Sequence, residues 1–582
     1  MTARHTSRRI ALLPFATLLA LAGCQEGPPP EETADLVLRG GHVVTVDDSR
    51  PEAEAVAIRG DRILAVGGSA DIEQYIGDET EIIELDGRLV VPGFIDSHGH
   101  FMSLGLAKLN LDLTQVRDWS EIVAMVGAAA SDAAAGAWIV GRGWHQEKWD
   151  AVPAPNVDGV PLHTELSAAS PQNPVLLTHA SGHGAFANAK ALEVAGITRD
   201  TPDPEGGTIV KSRSGEPTGY LRETAQRLVS AKMNAAKAAR PADIIDGEMR
   251  RQVELAGGEA LSKGVTSFHD AGSDFASIDF FKKLADEGNL PIRLYVMVRR
   301  ESNDVMAEKL PQYRMIDYGN GFLTVRSIKR QIDGALGSHG AWLLEPYVDL
   351  PTSAGLTLED PDDIRGTAQL AIQHGYQLNT HAIGDRANRE VLDIYQEVFR
   401  QYPDRSDLRW RIEHAQHLHP DDIPRFAQLG VIAAMQGVHA TSDGPWIPQR
   451  LGEERARTGA YVWRDLVDSG ATIANGTDTP VEDIDPIASF YSSVSRMMST
   501  GEKFYPGQAM TREEALRSYT LGAAFAAFEE LEKGSITPGK LADLVVLSRD
   551  IMTVPEEQIP TAQVDVTILA GAVKYRRAMN QD

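Results

Sequence analysis

Hydrophobic and polar positions follow different patterns in three parts of the chain. From Asp35 onward, "DLVLRGGHVVTVD", "EAVAIRGDRILAVG" and "TEIIELDGRLVVPG" alternate apolar with polar residues and are cut by Gly and Asp-Gly turns. That is the pattern of short strands in a half-buried sheet. "GKLADLVVLSRD" and "VDVTILAGAVKYR" repeat it at the far end. A small β-sandwich domain assembled from residues 35–90 and 533–582 is therefore expected. In between, strand-like runs alternate with amphipathic ones such as "RANREVLDIYQEVFRQY", the order of a parallel α/β architecture. Eight runs qualify as strands: "VVPGFIDSH", "GVTSFHDAG", "IRLYVMV", "LTVRSIKRQID", "YQLNTHA", "LRWRIEHAQ", "GVIAAMQ" and "ATIANGTDTP". Eight strand–helix units predict an α/β fold of the (β/α)8 TIM-type barrel class over residues 91–532. Such a barrel needs roughly 250 residues. The surplus lies mostly between His100 and Gly264, so an inserted subdomain, about residues 105–245, is expected over the barrel mouth.

The first residues follow neither pattern. "MTARHTSRR" places Arg4, Arg8 and Arg9 before "IALLPFATLLALAG", which is apolar but short for a bilayer span. The run ends at Cys24, the one cysteine of the chain. Residues 1–23 resemble a bacterial lipoprotein signal peptide, with Cys24 as the lipidated residue and 24–34, containing "QEGPPPEET", as a tether. The resemblance implies a cell-envelope protein with its catalytic domain in the periplasm, and Gln25 after the cysteine implies the outer membrane. The membrane would be a partner only through that lipid. Composition is that of an ordinary globular protein. The net charge of −26 argues against a nucleic-acid partner. A small-molecule substrate is expected instead, and a homodimer is left open.

Candidate chemistry gathers at strand ends. His98 and His100, in "GFIDSHGHF", stand two apart, a spacing that puts both on one side of a strand. Such a pair is weak evidence alone. His381 closes the fifth strand, His414 the sixth and Asp478 the eighth, while Lys329 lies in the fourth with Gln331 and Asp333 on its face. Active sites of such barrels lie at strand C-termini. Several imidazoles with a carboxylate form a nitrogen/oxygen site suited to zinc or a similar divalent ion.

"VVPGFIDSHGH", "HAIGDRA", "GTDTPV" and "GSITPGKLADLVVL" together resemble the amidohydrolase superfamily. "GRGWHQEKW", "GHGAFANAKAL", "PTGYLRE" and "IKRQIDGALGS" are similar to its YtcJ-like branch, which includes N-substituted formamide deformylases. The resemblance implies metal ligation by His98, His100, His381, His414 and Asp478, with one or two divalent ions, zinc foremost. It also implies that Lys329 is N-carboxylated and bridges the ions, and that Asp478, His414 and Lys329 act in catalysis. The implied reaction is hydrolysis of an amide or formamide C–N bond. The alternatives are another bond (cyclic imide, lactone or phosphoester) or a non-catalytic binding lipoprotein. Arg330, Gln331 and His339 depart from the branch near the expected pocket. Candidate substrate contacts are His183, Trp144, Asp333, His339 and Arg386, with His145, His269 and Asp385 as weaker ones. His417, His419 and His439 are expected to be structural.

Overall fold

The computed structural model describes residues 32–146, 149–157, 159–179, 184–205 and 207–578. Cys24, the signal and nearly all of the tether, and His183 lie outside the described residues.

Eight parallel strands form the central sheet, named here β1 (Phe94–Gly99), β2 (Val265–Ser273), β3 (Arg293–Val298), β4 (Leu323–Gln331), β5 (Gln377–Ala382), β6 (Arg411–His414), β7 (Ile432–Gln436) and β8 (Ile473–Gly476). Each pairs with its successor. Their residues are almost all buried, because helices cover the outer face and side chains fill the inner one. Every expected barrel strand is present. The seam between β8 and β1 is spanned by Asp478 N–H donating to the His98 carbonyl at 2.7 Å and His100 N–H to the Thr479 carbonyl at 2.8 Å. Gly476 permits this approach, since a Cβ there would sit 2.5 Å from the His98 nitrogen. Asp274, Ser302, Asp360 and Asp485 cap the helices that follow β2, β3, β4 and β8, each accepting from a backbone N–H of the first turn.

Strands from both ends of the chain share a second sheet. Leu89–Pro92 pairs antiparallel with Leu544–Leu547, with Val91 opposite Val545. Leu36–Val44, Glu52–Arg59 and Arg62–Gly67 extend it on one side, Val564–Leu569 and Ala572–Arg576 on the other, and Glu81–Glu84 also pairs with Leu36–Val44. All eight strands belong to one continuous sheet. Side chains from both of its halves, among them Val56, Ile58, Val90, Leu544, Val546 and Ile568, bury one another in a single core. The expected sandwich thus takes the form of one folded sheet. Arg293 of β3 joins it to the barrel through a buried ion pair with Asp543 at 2.8 Å.

Between β1 and β2 the chain builds a six-stranded sheet from Leu111–Asp112 to Pro217–Glu223, with two apolar cores of its own. Helices Phe101–Leu109 and Ala242–Ser262 connect it to the barrel and pack closely, a Cβ at Gly105 meeting the Gln252 carbonyl oxygen at 2.1 Å. Among the described residues no helix is long and apolar enough to cross a membrane.

Candidate metal centre

The C-terminal ends of β1, β4, β5, β6 and β8 converge on one buried cluster. His98 Nε2 lies 3.3 Å from Lys329 Nζ and 3.6 Å from Asp478 Oδ1, and His100 Nε2 lies 3.2 Å from that same oxygen. The ring of His414 is 4.6 Å from that of His98 and 4.4 Å from that of His381, centroid to centroid. One donor atom each from His98, His414 and Asp478 falls within 4.8 Å of the others. His414 and Asp478 both leave their strands in the left-handed region, at φ 75° and 57°. Neither is glycine, so the fold holds strained backbone where these side chains turn inward.

Burial sets the protonation states. It pushes the imidazoles of His98, His381 and His414 well below the usual histidine range, and neighbouring positive groups, Lys329 among them, act the same way. All three rings are therefore neutral near pH 7 and have lone pairs to give. Burial pushes the other way on Asp478, yet the adjacent His100 and the neighbouring imidazoles hold its carboxyl below the ordinary range, and it is ionised. Asp478 Oδ1 and His381 Nε2 are buried with no well-formed hydrogen bond. Neutral imidazoles, an anionic carboxylate and unsatisfied polar atoms fit a divalent cation. Burial pulls Lys329, 2% exposed, down to about 8.

A second ring of residues fixes these donors. His98 Nδ1–H is hydrogen-bonded to the carboxylate of Glu413, which is fully buried. Gln436 Nε2 donates to the Ala434 carbonyl at 3.1 Å, turning its Oε1 to His414 Nδ1–H at 2.8 Å. Both bonds make Nε2 the lone-pair nitrogen, which at His98 faces Lys329 Nζ. Asp96, raised by burial to about 7, accepts from the backbone of His98 and Thr477 and from the Thr477 hydroxyl, joining β1 to β8. Glu413, Gln436 and Asp96 carry no mark in the sequence that sets them apart as partners of a metal centre.

The expected substrate contacts fare differently. Trp144 is 1% exposed, and its indole N–H donates to the Leu177 carbonyl at 2.9 Å inside an apolar core of the insertion. The structure places it in the core of the insertion. Asp333 lies beneath the loops beside His381. It is fully buried and accepts from the backbone N–H groups of Trp342, Ile383 and Gly384 at 2.8–3.0 Å, with one oxygen 3.5 Å from His381 Nε2. It holds the loops after β4 and β5 in place. His339 faces Asp349, at 3.1 Å, rather than the histidine cluster. Arg386 is half-exposed, 3.7 Å from Glu390, and its guanidinium lies over the Trp342 ring at 5.2 Å. His269 packs in the barrel interior against Tyr295, with Nδ1 3.1 Å from Arg411.

Comparison with known proteins bears on the whole chain. The model of the amidohydrolase family matches residues 81–575. LONG AFTER FAR-RED 3 of Arabidopsis thaliana is 36% identical, over 90% of this chain and 88% of its own. YtcJ of Bacillus subtilis (strain 168) is 30% identical, over 93% and 99%. An N-substituted formamide deformylase of Arthrobacter pascens is 28% identical, over 93% and 98%. The crystal structure of a metal-dependent hydrolase from Pyrococcus horikoshii OT3, 26% identical, superposes with a TM-score of 0.72 over 90% of this chain and 99% of that one. With its barrel, its strand-end histidines and this match along nearly its full length, the chain belongs to the amidohydrolase family.

Proposed function

We propose that the protein hydrolyses a C–N bond of a small molecule, with amides and formamides as the leading substrates, at a metal centre formed by the strand-end cluster. One observation carries this reading: neutral imidazoles and an ionised carboxylate meet within 4.8 Å in a buried site, with Asp478 Oδ1 and His381 Nε2 lacking a well-formed hydrogen bond. His98, His100, His381, His414 and Asp478 would hold one or two divalent ions, zinc first by donor type. A divalent ion held there would supply a water of pKa lowered from 15.7 toward about 7 and a Lewis acid for the substrate carbonyl.

The chain supplies the rest. Asp478 takes the proton of the attacking water as the C–O bond forms, then delivers it to the nitrogen as the C–N bond breaks. Glu413 and Gln436 keep His98 and His414 in the tautomers that present Nε2. Lys329 is proposed to be N-carboxylated. Its buried amine is partly neutral near pH 8, can add to CO2 with loss of a proton, and would become an anion beside His98. The likeness to a formamide deformylase supports placing formamides first in the substrate class.

A panel of N-substituted formamides, N-acyl amino acids, dipeptides, cyclic imides and lactones, run on zinc- or manganese-loaded protein, tests the assignment. Turnover of formamides or amides is expected, with Asp478→Asn lowering kcat by on the order of 10³ while melting stays near wild type. Near-native turnover by Asp478→Asn, or hydrolysis of lactones alone, would refute it.

A further inference from the structure

His439 is read from the sequence as structural, yet its surroundings are not those of a satisfied core histidine. It lies on the short helix Gly437–Asp443 that leaves the C-terminal end of β7, and it is 6% exposed. Its ring runs parallel to that of His414, within 11° and 6.4 Å between centroids. Gln416, on the exit of β6, directs its amide Nε2 to His439 Nδ1 at 3.2 Å. A donor there takes the Nδ1 lone pair and leaves Nε2 as the nitrogen that carries the ring proton. That Nε2–H is buried and has no partner among the described residues.

The helix is held rigidly. Gly437 N–H donates to Asn475 Oδ1 at 2.8 Å and Val438 N–H to the Ser489 hydroxyl at 3.2 Å, and the hydroxyls of Thr441 and Ser492 are 2.9 Å apart. A Cβ at Gly437 would lie 2.4 Å from the Ser493 hydroxyl, so only glycine lets the helix sit this close. A fold that orders one N–H so firmly beside a cluster of metal donors, and leaves it unpaired, has kept it for an acceptor that arrives later.

We propose that His439 is a catalytic residue that contacts the substrate, its Nε2–H donating to the carbonyl oxygen of the scissile bond and holding that oxygen as it becomes an oxyanion. This rests on the acyl-transfer reading above and adds the residue just after β7 that reading leaves out. A preorganised donor of this kind is worth on the order of 10²-fold in turnover.

His439→Ala, His439→Gln and His439→Asn in the metal-loaded full-length protein test it. Turnover, metal content, melting temperature and the affinity for acetohydroxamate, a carbonyl-oxygen ligand, would be measured for each. Glutamine puts an amide N–H near the lost Nε2, asparagine near Nδ1. The expected result is a kcat about 100-fold lower in His439→Ala, with unchanged metal content and melting, and an acetohydroxamate affinity about tenfold weaker. His439→Gln should recover at least about tenfold of the turnover and His439→Asn should not. Wild-type turnover and affinity in His439→Ala overturn the proposal, as does loss of metal in step with activity. If the wild-type protein hydrolyses no member of the panel, the acyl-transfer reading fails by itself. The acetohydroxamate affinities then decide the role of His439, an unchanged value in the alanine variant overturning it.

Discussion

Glu413 shows how much of a metal centre depends on side chains that never touch the ion. It is fully buried, pushed up by that burial, and stays useful because His98 Nδ1–H gives it a hydrogen bond. Replacing it with glutamine keeps the size but removes the charge that orients the imidazole and raises its basicity. Glu413→Gln is expected to weaken metal affinity by 10- to 100-fold with little change in melting, read by competition with a chelator. An unchanged affinity would mean that packing alone orients His98. Its inward direction was within reach of the sequence. Arg411 and Glu413 alternate with Trp410 and Ile412 along β6, so Glu413 shares the inward face with the buried Arg411. What hid it was its place one residue before His414, since strict alternation sets neighbouring residues on opposite faces of a strand. Gln436 closes β7 as a neutral residue.

At the scale of single elements, most barrel strands were legible as short apolar runs ending in a polar residue, the pattern of parallel strands buried on both faces, whereas β4 and β6 carry Arg, Lys and Glu within them. The burial of Trp144 has a cause belonging to one strand. Along Ile139–Trp144, strict alternation would put Trp144 with the exposed Arg142, facing out. The ladder slips instead: Thr178 pairs with Arg142 but His179 with Trp144, with Gly143 at φ 107° taking up the extra residue. This bulge turns the indole into the core, where it packs 5.9 Å from the Trp149 ring and edge-on to Phe186. Trp144→Ala is therefore expected to cost about 3–5 kcal/mol in the stability of the insertion, measured by urea unfolding. The ranking of substrates should stay as it is in protein that remains folded. A changed ranking at wild-type stability would restore Trp144 to the substrate pocket. His339 has a comparable explanation, since its left-handed φ of 58° and the Asp349 carboxylate direct it away from the cluster, and neither can be read from neighbouring residues in sequence.

Across the whole molecule, Lys329 links the centre to global stability. Burial in the barrel pulls its amine to about 8, opposed by Glu413, whereas an unfolded chain leaves a lysine near 10.5. Below about 8 both states hold the proton, and pH does not act through this group. Between about 8 and 10.5 the unfolded chain keeps the proton and the folded chain does not, so stability rises with pH across that window and levels off above it. The rise amounts to about 3 kcal/mol. Measured on metal-free protein without bicarbonate, wild type should gain on Lys329→Met over this range, because methionine fills nearly the same volume with nothing to titrate. Parallel stability curves for the two proteins would show that Lys329 is not desolvated as described. Carboxylation adds a second dependence. CO2 captured only by the folded state stabilises it by mass action, so bicarbonate should raise the melting temperature of wild type but not of Lys329→Met. Native mass spectrometry should show a gain of one CO2 on the same protein. If bicarbonate shifts both proteins equally, the effect is ionic and Lys329 acts as a free amine. A bridging anion would then be missing, and the site would hold a single ion.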